Sequence, residues 1–124
     1  MKKIYHVALE ATLDVIEGKW KPIILCHLGN GPTRTGELKK MIPAITQKML
    51  VQQLRELEED RIISRKVYKQ VPPKVEYSLT EEGKSLREIL IAMSIWGECR
   101  VQELVDNGED VELLNSNYSG FLNY

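Results

Sequence analysis

Two adjacent prolines, Pro72 and Pro73, stand between two short strand-like runs in a chain that otherwise reads as helix. Neither can donate a ladder hydrogen bond, so residues 69–74 (KQVPPK) are predicted to form a hairpin tip. The run before it, Ile62 to Tyr68, is rich in β-branched residues and carries Arg65 and Lys66. In the run after it, Val75, Tyr77 and Leu79 alternate with Glu76 and Ser78, the period of two of a strand.

Helical spacing governs the segments around this hairpin. Leu9, Thr12, Leu13 and Ile16 mark a first helix, which Gly18 is expected to end. A second is predicted at about 20–29, with Pro22 in its first turn, where a missing N–H costs little. Its Trp20, Ile23, Ile24, Leu25 and Leu28 predict burial, and Gly29-Asn30-Gly31-Pro32 predicts the turn after it. A third helix fits Thr35 to Met41, with Leu38, Met41 and Ile42 facing inward, and Pro43-Ala44-Ile45 breaks it.

Thr46 then reads as the N-cap of a fourth helix running to about Glu59. Leu50, Leu54 and Leu57 form one stripe on it, with Lys48, Gln52 and Arg55 opposite and Thr46 and Gln47 at its start. After the hairpin, Thr80 is expected to cap one long helix to about Val105. Glu81 and Glu82 complement the dipole in its first turn, and Asn107-Gly108 ends it. A weak further helix is expected near 109–115, followed by fraying.

At 124 residues one domain is expected, with a core that needs no disulfide or metal staple. Residues 1–106 are assigned to that domain and 107–124 to a C-terminal tail, partly helical or disordered. Glu10 and Asp14 interrupt any signal-peptide core, and the apolar stretch Ile89 to Trp96 is too short to span a bilayer. A cytoplasmic protein is therefore expected, with no membrane partner. In that compartment Cys26 and Cys99 stay reduced, and no C-x-x-C pair exists.

The net charge of −1 hides an uneven distribution. Residues 33–75 carry ten Lys/Arg and five Asp/Glu, whereas 81–124 carry three and nine. The middle of the chain suits a polyanion and the C-terminal part does not. Such a split can also arise by chance; the order of elements argues more strongly.

Helix, short break, helix, then a two-stranded hairpin is the winged helix-turn-helix arrangement, so the fold class is α+β, mainly α. It has an N-terminal helix and a long C-terminal dimerisation helix. The second helix of the motif, about 46–59, can enter a major groove. Thr46, Gln47, Lys48, Gln52 and Arg55 form a polar face suited to base edges. Gln pairs with adenine, Arg or Lys with guanine, and Thr with base edges or phosphate. Arg34, Lys39 and Lys40 on or beside the preceding helix are expected on phosphates. Lys69 and Lys74 flank the wing tip, within reach of backbone or minor groove. A polar helix face is often merely solvated, but a solvated helix needs no lysine-bearing hairpin beside it.

The runs VIEGKWKPIILCHLGNGPTRTGELKKMIPAITQKMLVQQLRELEEDRIISR and VYKQVPPKVEYSLTEEGKSL resemble the HxlR-type regulators, a branch of the MarR-like winged-helix proteins of prokaryotes. The resemblance covers about residues 7–100. It implies a homodimer that binds double-stranded operator DNA as a transcriptional regulator. It also implies that 46–59 is the recognition helix and 62–79 the wing. Many members carry Cys-Pro just before the first helix, and some sense electrophiles or oxidants through that cysteine. Val7 and Ala8 occupy the matching positions here, so that route of sensing is not expected. Cys26, in an apolar helix, is expected to be inert, and Cys99 to pack, with an interface disulfide or sensor as the alternative.

The helix after Thr80 is apolar on almost every side near 89–96, more than one buried stripe requires. A second copy of the chain is the simplest cover. Leu86, Ile89, Leu90, Met93 and Trp96, with Leu9, Leu13 and Ile16, are the expected interface. A small-molecule effector pocket near Trp20, Tyr5 or Trp96 is a further expectation.

Two other function classes fit the sequence less well. A winged-helix protein-interaction module without DNA binding fits poorly with the basic middle segment. An enzyme is not expected. His6 and His27 lack partners at metal spacing, Gly29-x-Gly31 reaches Arg34 where a dinucleotide fingerprint needs glycine, and no Walker lysine exists. Neither a cofactor nor a metal is expected.

Overall fold

A computed structural model of the chain describes residues 2–114 and 119–122. Helix α1 (Ala8–Ile16) is capped by Glu10, whose carboxylate accepts from the main-chain N–H of His6 and Val7 at 2.6 and 2.7 Å. Gly18, at φ +84°, takes the left-handed turn that only glycine adopts cheaply. Helix α2 (Trp20–Leu28) follows and places Ile24, Leu25 and Leu28 in the centre of the core.

Helix α3 (Thr35–Met41) buries Leu38 with the following Ile42, but Met41 is exposed, against expectation. Seven residues make barely two turns, and one apolar stripe suffices to seat them. Helix α4 (Gln47–Glu59) is capped as its sequence predicts: Thr46 Oγ1 accepts from Met49 N at 3.1 Å. Leu50, Leu54 and Leu57 are all but inaccessible. Fully burying three leucines is worth about 5–9 kcal/mol, so this stripe settles how α4 sits.

Strands β1 (Ile63–Tyr68) and β2 (Lys74–Leu79) pair antiparallel, from Ile63 opposite Leu79 to Tyr68 opposite Lys74. Thr33 joins them through a bridge to Tyr77, with both main-chain hydrogen bonds at 2.9 Å. That bridge ties the turn after α2 to the hairpin across 44 positions, a range at which no local sequence pattern speaks.

The long helix expected from Thr80 is two helices. Thr80 does cap the first, α5 (Glu81–Lys84), with Oγ1 accepting from Gly83 N at 3.0 Å. Gly83 approaches Ile62 so closely that a Cβ there would lie 2.1 Å from the Ile62 carbonyl oxygen. This contact fixes α5 against the hairpin base, so the chain must turn before continuing. Ser85 bonds back to the Glu82 carbonyl, and Leu86 N closes a tight turn onto Gly83 O. Helix α6 (Arg87–Asp106) then runs 20 residues, about 30 Å. No helix among the described residues is long and apolar enough to cross a membrane.

Residues 109–114 carry no helix, unlike the expectation for 109–115; residue 115 lies outside the described residues. Helix α7 (Ser119–Leu122) instead packs on α2 and places Phe121 in the core. Arg87 Nε donates to the Phe121 carbonyl at 2.9 Å, linking α7 to the start of α6.

Candidate nucleic-acid interface

The apolar stripe of α4 faces α2, α3 and β1, which leaves the opposite face in solvent. Thr46, Gln47, Lys48, Gln52 and Arg55 are all exposed there, together with Val51. The side chains of Lys48, Gln52 and Arg55 make no hydrogen bond or ion pair with the described residues. Their donors and charges are therefore free for an external acceptor.

Around this face the expected phosphate contacts divide. Arg34 and Lys40 are exposed. Arg34 N is held by Glu37 Oε1 at 3.1 Å, which caps α3 and leaves the guanidinium outside. Lys39 is half-buried, and its Nζ donates to the Pro43 carbonyl at 3.1 Å. It fastens the turn between α3 and α4.

At the wing, Lys69 is exposed at the tip. Lys74 is half-buried, paired with Glu76 at 3.2 Å, and its Nζ lies 4.8 Å from the Tyr68 ring centre. Lys66 approaches the same ring, also at 4.8 Å. A hydrogen bond from Tyr68, and then the Lys74 ammonium, hold the Glu76 carboxyl below the usual carboxylate range. The wing is thus stiffened by a Tyr68–Glu76–Lys74 cluster with Lys66 beside it. Arg65 and Lys66 lie outside the expected site residues; their basic character within ISRKVY is the sequence signal for them.

The expected dimer residues also divide. Leu9, Leu13, Ile89, Met93 and Trp96 are exposed, Trp96 to 70%. Ile16 and Leu90, at 4% and 2%, are instead core residues of the single chain, and Leu86 is half-buried against that core. The turn at Ser85-Leu86 rotates α6 so that Leu90 points inward. On α1, Ile16 lies at the end that meets the core.

Trp20 lines a cleft of about 400 Å³ with Lys21, Met49, Gln53 and Glu56. Tyr5 and Trp96 do not line it; Tyr5 donates to Asp14 Oδ2 at 2.7 Å on the surface. Cys26 is half-buried, and burial pushes its thiol up while the Gly120 and Phe121 main-chain N–H groups oppose this. Cys99 is exposed rather than packed. Burial holds the His27 imidazole below its ordinary value, as suits a neutral side chain at the core edge.

The geometry has known counterparts. A family model described as HxlR-like helix-turn-helix matches residues 15–105. The HTH-type transcriptional regulator YtcD of Bacillus subtilis is 62% identical over 96 residues, covering 77% of this chain and 76% of that protein. YkvN, another HTH-type regulator of B. subtilis, is 54% identical over 109 residues, covering 88% and 92%. Among solved structures, the redox regulator HypR in its oxidized form superposes with a TM-score of 0.71 at 55% identity. It covers 75% of this chain and 96% of that one. Helix, turn, recognition-type helix and wing in one compact unit, with relatives of this closeness, lead to one family: the chain belongs to the HxlR-like helix-turn-helix transcriptional regulators.

Proposed function

We propose that the chain acts in the cytoplasm as a homodimer that binds operator DNA, with α4 in the major groove and the 62–79 hairpin as wing. The observation that carries this is the outer face of α4, whose Gln47, Lys48, Gln52 and Arg55 are exposed while three leucines lock the helix from behind. Gln47, Lys48 and Gln52 read base edges. Thr46, Arg34 and Lys40 hold phosphates, and Lys69 at the wing reaches backbone or minor groove, while Lys74, paired with Glu76, stiffens the wing beneath it. Lys39 supports the α3–α4 turn and contributes to the positive field.

The exposed apolar residues of α1 and α6 support a second copy as the cover of that surface. Leu9, Leu13, Ile89, Met93 and Trp96 form its centre. A two-fold dimer presents two α4 helices to half-sites about 34 Å apart. An effector of small-molecule size fits the Trp20 cleft, which abuts α4 through Met49, Gln53 and Glu56.

Selection of binding sites from a random duplex library by the purified protein tests this reading. A pseudo-palindromic consensus is expected, with affinity that falls steeply with salt. In the Lys48→Ala/Gln52→Ala double variant, specific affinity should drop roughly a hundredfold or more while the dimer persists. Unchanged affinity for the selected duplex refutes the assignment of α4.

A further inference from the structure

A groove of about 290 Å³ separates α4 from the wing, lined by Val51, Arg55 and Glu58 on one side and by Arg65 and Tyr77 on the other. Arg65 sits opposite Tyr77 in the ladder, and the Tyr77 main chain is clamped to Thr33, so the hairpin wall is firmly held. Both arginines are exposed, and among the described residues neither side chain makes a hydrogen bond or ion pair. Glu58 shares the wall but pairs with neither.

Two guanidinium groups against the one carboxylate of Glu58 leave the groove net positive, so it attracts a further anion between the arginines. Their planar forks match the oxygens of a phosphate, to which each can donate two hydrogen bonds. The position of the groove says which phosphate. If α4 occupies a major groove and the wing the neighbouring minor groove, the sugar–phosphate strand dividing those grooves passes between α4 and the wing. That path crosses Arg55 and Arg65.

We propose that Arg55 and Arg65 together seat one backbone phosphate of that strand, which makes Arg55 a phosphate ligand rather than a reader of guanine. The seat rests on the placement of α4 argued above. It fixes the register of the duplex between helix and wing and carries no base preference of its own.

The test compares wild type, Arg55→Ala, Arg65→Ala and Arg65→Lys on two duplexes across a KCl series. One duplex is selected by the wild type from a random library, and the other is a scrambled sequence of equal length. Either alanine variant should weaken both duplexes alike, roughly tenfold, and reduce the salt slope by about one. Arg65→Lys should keep the slope and lose part of the affinity, because an ammonium lacks the fork. A scan of single methylphosphonate substitutions adds a readout that a merely structural role would not move. One neutralised phosphate should cost the wild type affinity and cost Arg65→Ala clearly less, because only Arg55 still holds it. An Arg65→Ala protein that melts and binds like wild type overturns the seat alone, as does loss confined to the selected duplex. Failure of the random library to yield any duplex that the wild type binds overturns the α4 reading and the seat with it.

Discussion

Lys21 is the residue whose environment departs furthest from its type. Its ammonium is on the second residue of α2, nearly inaccessible, and meets Glu56 of α4 at 3.1 Å. Glu56 remains about a third exposed, so water screens the pair from one side. Removing the acid leaves a buried charge without its partner, which costs more than the pair itself contributes. Glu56→Ala should therefore lower unfolding stability by about 2 kcal/mol. Lys21→Met, which removes charge and need together, should be close to neutral. Urea denaturation of both variants measures this, and equal stability of Glu56→Ala and wild type would sink the argument. The pair also joins α2 to the inner edge of the recognition-type helix, beside the Trp20 cleft.

Among the elements, α7 is the one whose packing has the clearest chemical reporter. Gly120 lies so close to α2 that a Cβ would stand 1.9 Å from the Cys26 carbonyl oxygen. Phe121 occupies the core, and the Cys26 thiol lies beneath the α7 backbone. Gly120→Ala should detach α7, expose Phe121 and cost about 2 kcal/mol, the worth of one buried aromatic side chain. In a Cys99→Ser background the same substitution should speed labelling of Cys26 by a thiol reagent at least tenfold, an order-of-magnitude figure for unblocking a covered thiol. Unchanged labelling would mean that α7 does not shield Cys26 in solution. The turn between α5 and α6 follows the same logic: a close glycine approach, here Gly83 on Ile62, redirects the chain where helix-forming sequence alone would have continued it.

For the whole molecule, the decisive property is the apolar surface left on α1 and α6 after the core is complete. Trp96 and Met93, both exposed, are positions where an acid disturbs no internal packing. Met93→Asp/Trp96→Asp should give a folded monomer by sedimentation analysis. Its operator affinity should fall roughly a hundredfold or more, because two half-sites are no longer engaged together. Leu90→Ala provides the contrast. Leu90 is a core residue, so its truncation should cost about 2–5 kcal/mol of stability and leave the association state intact. A monodisperse monomer in the wild type would overturn the dimer.

What the sequence determined by itself was local. The Thr46 and Thr80 caps, the leucine stripe of α4 and the hairpin tip at Pro72-Pro73 all rest on neighbours within a few positions. Side-chain-to-backbone capping and helical or strand periodicity are written at that range, so the elements carrying the candidate interface were legible. So was the outward position of Lys48, Gln52 and Arg55, which follows once Leu50, Leu54 and Leu57 are buried. The tertiary structure decided whatever depended on distant partners. Thr33 meets Tyr77, Gly83 meets Ile62, Lys21 meets Glu56, and Phe121 enters a core built by α2. Packing at that range also broke the expected long helix, placed Ile16 and Leu90 in the core and set Arg55 and Arg65 on one groove. Local pattern cannot encode them, because each compares the packing of one segment against another that the chain reaches only after folding.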